Sequence, residues 1–156
     1  MPTRVFSQQP DLVAALPQLL AHARRFFAAE VDVLSASAPD RPDLAQAELR
    51  LRLESARYPG RGTFRIEARC PTEADQAAAR EAERRGKAGG MADLAARCAA
   101  LWVVTAEDDL TGSADLQLSA LLASVALGPV LPEDESTLYG VRGAMERAEK
   151  AADSAR

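Results

Sequence analysis

Histidine occurs once in this 156-residue chain, at His22, and cysteine twice, at Cys70 and Cys98. One histidine excludes the histidine-rich zinc sites within one chain. A triad that depends on histidine could use only His22, and the sequence offers no obvious acid or nucleophile to position beside it. The two cysteines are far apart and lack CxxC spacing, so they read as buried thiols rather than a redox pair. Aromatic residues make up only 4%. With so many alanines, the interior is expected to use close helix packing rather than a large aromatic cleft. The longest apolar stretch, 118–131, is interrupted by Ser119, Ser124, Gly128 and Pro129. It falls short of the roughly 18 residues a membrane span needs. The start, MPTRVFSQQPDL, lacks the apolar core of a secretory signal, and the expected location is the cytoplasm. There is no GxSxG and no HExxH. The glycines of Gly86-Lys87-Ala88-Gly89-Gly90 lack the spacing and the Ser/Thr of a phosphate-binding loop, so they read as a helix break.

Basic residues are also absent from one long region. None lies between Arg97 and Arg142, whereas 48–70 holds six arginines against three glutamates. The formal net charge of −4 is too mild to imply a partner, but its distribution is split.

What is present is most explicit at 48–70. Leu49, Leu51 and Leu53 alternate with Arg50, Arg52 and Glu54. Phe64, Ile66 and Ala68 alternate with Arg65, Glu67 and Arg69. Period-two alternation in two runs predicts a hairpin with one buried and one wet face. A turn centred on Pro59-Gly60 would set Leu53 opposite Ile66, Arg52 opposite Glu67, Glu54 opposite Arg65 and Arg50 opposite Arg69. A lone hairpin is marginal in water, so its apolar face must meet another layer. Residues 31–36 read as a third strand, followed by a Pro- and Asp-rich loop over 37–43.

Helices are predicted at about 11–30, with a kink or restart at Pro17, and at 73–85. Residues 91–106 fit one helix best, with a terminal strand at 99–104 as the alternative. A helix over 113–127 is apolar nearly all round and belongs at the centre of the core. A last helix should run from Ser136, a good N-cap, to about Ala152. The expected fold is α+β, a small antiparallel sheet packed against four or five helices. Residues 1–156 read as one domain, loose over 1–9 and frayed at the C-terminus.

Three places could carry chemistry. Glu107, Asp108 and Asp109, with Asp115 as a further candidate, supply the oxygen ligands Mg²⁺ prefers, though consecutive acids usually form a solvated loop. Tyr139 and Arg142 would sit together on the first turns of the last helix, where an anion can bind, but the preceding acids oppose that and favour packing for Tyr139 and an ion pair for Arg142. Arg50, Arg52, Arg65 and Arg69 could meet phosphates, but the interleaved glutamates and the single ring of Tyr58 make nucleic acid an unfavoured partner. No cofactor is implied and no catalytic constellation is found. A helix, a small antiparallel sheet and further helices in an acidic chain of this length resemble bacterial secretion chaperones at the level of fold, with no motif behind the likeness. The expected function is a non-enzymatic interaction module, an adaptor or chaperone-like subunit of a cytoplasmic assembly. Its partner would be a protein, with a homodimer formed through the hairpin, the last helix or both. The alternative is a small carboxylate-dependent, Mg-assisted enzyme with its site near Glu107–Asp109.

Overall fold

The alternating runs form two antiparallel strands, β3 (Glu48–Ser55) and β4 (Gly60–Arg69). Leu49, Leu51, Leu53, Phe64 and Ile66 are all buried, and Arg52, Glu54, Arg65 and Glu67 are exposed. The computed structural model describes residues 2–37, 47–87 and 89–154. The expected third strand is present as β2 (Ala29–Ser37), antiparallel to β3. Most of the expected 37–43 loop lies outside the described residues.

The register differs from the expected one. Leu49 faces Ile66, Leu51 faces Phe64, and Leu53 faces Gly62. The displacement is an even number of residues, which keeps every side chain on its face while changing every partner. Pro59-Gly60 is not the turn centre, because Gly60 already belongs to β4. It pairs there with Gly112 of a two-residue strand, β6 (Thr111–Gly112). A side chain at Gly112, which has φ +62°, would strike the Pro59 carbonyl. Close backbone approach therefore accounts for this glycine pair better than turn formation does.

Two further strands join the sheet, one of them the strand weighed at 99–104 as the alternative to a single helix. Residues 3–7, expected to be loose, form β1 (Thr3–Ser7). Residues 91–106, expected as one helix, divide into a short helix α3 (Met91–Ala96) and a strand β5 (Ala100–Ala106). With β7 (Val130–Leu131) the sheet has seven strands among the described residues. Its order is β2-β3-β4-β5-β1-β7, with β6 on β4, and every pairing is antiparallel. It is larger than the small sheet anticipated, and the same residues show five helices.

Three helices cover one face: α1 (Leu16–Phe27), α4 (Ala114–Ala126) and α5 (Val141–Ser154). Pro17 lies in the first turn of α1 rather than kinking its interior, and a missing N–H costs nothing there. Helix α4 is buried from Gln117 to Ala126, as its all-round apolar pattern predicts, and lies between α1 and α5. α5 starts at Val141, so Ser136 does not cap it. It runs to Ser154, and the expected fraying falls on residues outside the description. On the other face, α2 (Glu73–Gly86) and α3 cover only the β5-β1-β7 side, through Phe6, Leu101, Leu131, Ala79, Ala82 and Ala95.

Leu51 lies against the helix layer with no exposed surface. Leu51→Ala is expected to lower unfolding stability by about 2–5 kcal/mol. The exposed neighbour change Arg52→Ala should stay within about 0.5 kcal/mol. Urea titrations of both variants read the difference, and equal losses would contradict the assigned faces.

Candidate functional site

Where α2 and α3 stop, the outer face of β2, β3 and β4 has no helix over it among the described residues. The sequence had presented the hairpin arginines and the acids after β5 as separate candidates. The structure puts them side by side. A shallow, open hollow of about 650 Å³ is lined by Arg50, Thr63, Arg65, Glu107, Asp108 and Asp109. The link is the chain leaving β5: the Glu107 N–H donates to the Thr63 carbonyl at 2.8 Å, which folds the acidic turn over β4.

Within the hollow most charges already have partners. Arg50 donates two hydrogen bonds to Glu107, Nε to Oε1 at 2.6 Å and Nη2 to Oε2 at 2.9 Å. Those bonds hold the Glu107 carboxyl below its usual range and raise the Arg50 guanidinium. Thr63 donates its hydroxyl to Asp109 at 2.7 Å and its amide at 2.9 Å, and Asp109 is lowered for that reason. Arg65 faces Arg50 across the ladder, and Glu48 pairs with it at 3.2 Å.

A general acid or base working near neutral pH needs a carboxyl raised toward 7, the reverse of what Glu107 and Asp109 show. A cation would have to share their oxygens with Arg50 and Thr63. Among the described residues, no group of three or more His, Cys, Asp or Glu side chains is placed to hold a metal ion. Over the outer face and the turn after β5, Arg50, Arg52, Arg61, Arg65 and Arg69 stand against eight carboxylates: Glu30, Asp32, Glu48, Glu54, Glu67, Glu107, Asp108 and Asp109. The hairpin that reads as basic in sequence thus contributes to an acidic surface.

The remaining candidates separate. Tyr139 lies before α5 and pairs with Val130 through two backbone hydrogen bonds of 2.7 and 3.0 Å. Its ring lies under the Arg147 guanidinium at 5.0 Å. Arg142 is 94% exposed and pairs with Glu146 along the helix, the ion pair favoured for it over an anion site. His22 Nδ1 is 2.8 Å from Ser124 Oγ. That hydroxyl donates to the Leu121 carbonyl at 2.6 Å, so the ring nitrogen is the donor. A serine nucleophile needs the proton to go the other way, so the contact ties α1 to α4.

Arg69 belongs to a second cluster, which the sequence reading missed. Its guanidinium donates to both oxygens of Asp75 at 2.6 and 3.0 Å. Arg4 of β1 donates to Asp75 at 3.0 Å and to Glu135 at 2.7 Å. Asp75 is only 2% exposed and completes a capping box with Thr72. The signal available was Thr72-x-x-Asp75, with an acid at the third helical position. Burial alone would raise the Asp75 carboxyl. Hydrogen bonds from Arg69, Thr72 and Arg4 outweigh it and hold the group well below the carboxylate range.

Comparison with known proteins finds no matching family model, no similar curated protein and no similar solved structure.

Asp75→Asn should cost about 2–3 kcal/mol at pH 7, because Arg4 and Arg69 lose a charged acceptor and remain partly exposed to water. The Asp75 carboxyl is depressed below its unfolded value of about 3.9. Its contribution is therefore complete above about pH 5 and is lost as pH falls through the folded value. Urea unfolding at pH 7, 5 and 3 should show a constant gap between wild type and variant that narrows only at the lowest pH. A gap that widens in acid would contradict the assignment.

Added Mg²⁺ is expected to leave the melting temperature unchanged. A site on the native state would add about 2.7 kcal/mol at a hundredfold excess over its Kd. A clear rise abolished by Asp108→Asn or Asp109→Asn would reinstate the acidic turn as a metal site.

Proposed function

We propose that the chain is a non-enzymatic interaction module, an adaptor or chaperone-like subunit of a cytoplasmic assembly, with the outer face of β2, β3 and β4 as its binding surface. The observation that carries this reading is the unequal cover of the sheet. Among the described residues, one face is roofed by three helices, and the other is roofed only as far as β5. The bare part is broad, charged and shallow rather than a closed apolar cleft of the kind small-molecule sites favour. Its excess of carboxylates fits a protein partner presenting basic groups and disfavours nucleic acid, whose phosphates it would repel. Charges of this kind mainly steer and orient an encounter. The engaged state of Glu107 and Asp109 ranks the carboxylate-dependent enzyme second.

The test is capture from the native host at low and high salt, with wild type and Glu54→Lys/Glu67→Lys compared by mass spectrometry. A stoichiometric protein retained by wild type, weakened by salt and lost from the double variant is expected. Arg142→Glu, on the far helix layer, should retain it. Retention by the double variant would move the surface elsewhere. A bound metal or metabolite in place of a protein would favour the enzyme.

A further inference from the structure

The chain leaves the sheet at Arg69, the end of β4, and returns at Ala100, the start of β5. Arg69 and Leu101 are partners in that ladder, so the excursion carrying α2 and α3 begins and ends at one point of the sheet. The two helices are tied to each other. Gln76 Nε2 donates to the Ala95 carbonyl at 3.2 Å, and the Ala92 amide donates to Glu83 Oε1 at 3.3 Å. From 71 to 98, no backbone hydrogen bond reaches the rest of the chain among the described residues. The side-chain hydrogen bonds that do so, among the same residues, come from Arg4 and Arg69 to Asp75 and from Arg85 Nη1 to the Glu135 carbonyl, the last at a long 3.5 Å.

The apolar contacts beneath these helices are equally spare. Their buried hydrophobic residues are Ala79, Ala82, Ala92 and Ala95, none larger than alanine. They belong with Phe6, Leu101 and Leu131 to a cluster separate from the main core. An alanine methyl contributes about 0.8 kcal/mol on burial, against roughly 1.5–3 kcal/mol for leucine or phenylalanine. Helix α4, on the other face, buries Leu118, Leu121, Leu122 and Val125 instead. Segments with few apolar contacts and no shared backbone ladder are the ones that open below the global unfolding free energy.

We infer that α2 and α3 form a lid, hinged near Cys70 and Ala99, that opens as one body while the sheet stays intact. Asp75 is its clasp, because Arg4 of β1 and Arg69 at the hinge converge on it. Opening breaks no strand pairing, since neither helix nor the residues joining them belong to a ladder. It bares Phe6, Leu101 and Leu131, all sealed from solvent in the closed state, beside the charged face of β2, β3 and β4. The open state is the minor one, because three large apolar side chains lose their cover in it. The outer face thus has two forms. In one the charged surface stops at β5, and in the other an apolar strip continues it to β7. This holds whatever the outer face binds.

Hydrogen exchange followed by mass spectrometry tests this on the intact chain. In wild type the α2 and α3 amides should share one level of protection, about tenfold or more below that of α4, with β1 and β5 protected like α4. Leu51 belongs to the main core and is untouched by lid opening. Leu51→Ala should therefore lower α4 protection by about tenfold or more and leave α2 and α3 unchanged. Asp75→Asn should lower α2 and α3 protection by about tenfold or more, because it loosens the closed lid. If Asp75→Asn fails to fold, Arg4→Gln, which removes one arm of the clasp, takes its place with the same expectation. If Leu51→Ala fails to fold, a urea series on wild type does. There α4 protection should fall steeply, and α2 and α3 protection much less, because lid opening exposes far less surface than global unfolding. Protection of α2 and α3 equal to that of α4, or falling in parallel with it in Leu51→Ala or in urea, would overturn the lid. Different levels in α2 and α3 would overturn its movement as one body. Clasp variants without effect on α2 and α3 would overturn the role of Asp75.

Discussion

Strand β1 has to be buried on both faces, and much of the architecture follows from that requirement. It is wedged between β5 and β7, with Val5 in the core beneath α1, α4 and α5 and Phe6 in the core beneath α2 and α3. A strand so placed needs a helix layer above and below it, because neither apolar side chain can face water without losing about 2 kcal/mol of burial. α2 and α3 therefore lie over β5, β1 and β7 and extend no further. Arg4 on the same strand fixes the position of α2 by reaching Asp75 at its N-terminus and Glu135 in the loop before α5. One short segment thus connects both layers, the sheet centre and the C-terminal third of the chain.

The bare face is a consequence of this arrangement. With α2 and α3 held over the sheet centre, β2, β3 and β4 have cover on the α1 side only, and their other side chains must tolerate water. Arginine and glutamate do so, and most find partners locally: Arg50 with Glu107, Arg65 with Glu48. Exposed pairs of this kind contribute little to stability, because water screens them. Their weight lies in the field they present, which is acidic once β2 and the turn after β5 are added to the hairpin.

Asp75 is a different kind of charge. It is nearly sealed from solvent, and its two oxygens receive Arg4, Arg69 and the Thr72 amide. The cost of removing a carboxylate from water is met only because every acceptor direction is used. This cluster organises packing, whereas the Arg50–Glu107 group lies in an open hollow where other molecules can approach.

How far the fold could be read from sequence depended on whether each element has one buried face or two. The β3–β4 alternation and the α4 pattern were legible, since solvent on one side, or its complete exclusion, leaves a clear period. Ala100-Leu101-Trp102 sends consecutive apolar residues to opposite cores, and Val5-Phe6 does the same. Such runs have no period of two, so β5 read as helix and β1 as a loose end. The hairpin register escaped for another reason: Pro59-Gly60 has turn chemistry, but Gly60 is taken by its approach to Gly112, fifty-two positions further along the chain. Of the candidate sites, the residue types were visible and their company was not. Glu107 and Asp109 looked free until Arg50 and Thr63 were brought to them, and Arg69 looked like a surface arginine until α2 supplied Asp75. The sequence by itself determined which faces of β3 and β4 are wet, because that depends on neighbours one and two residues away. Which charges neutralise each other and which strands lie at the centre were decided only by tertiary structure, because those pairings join residues as far apart as Arg4 and Glu135.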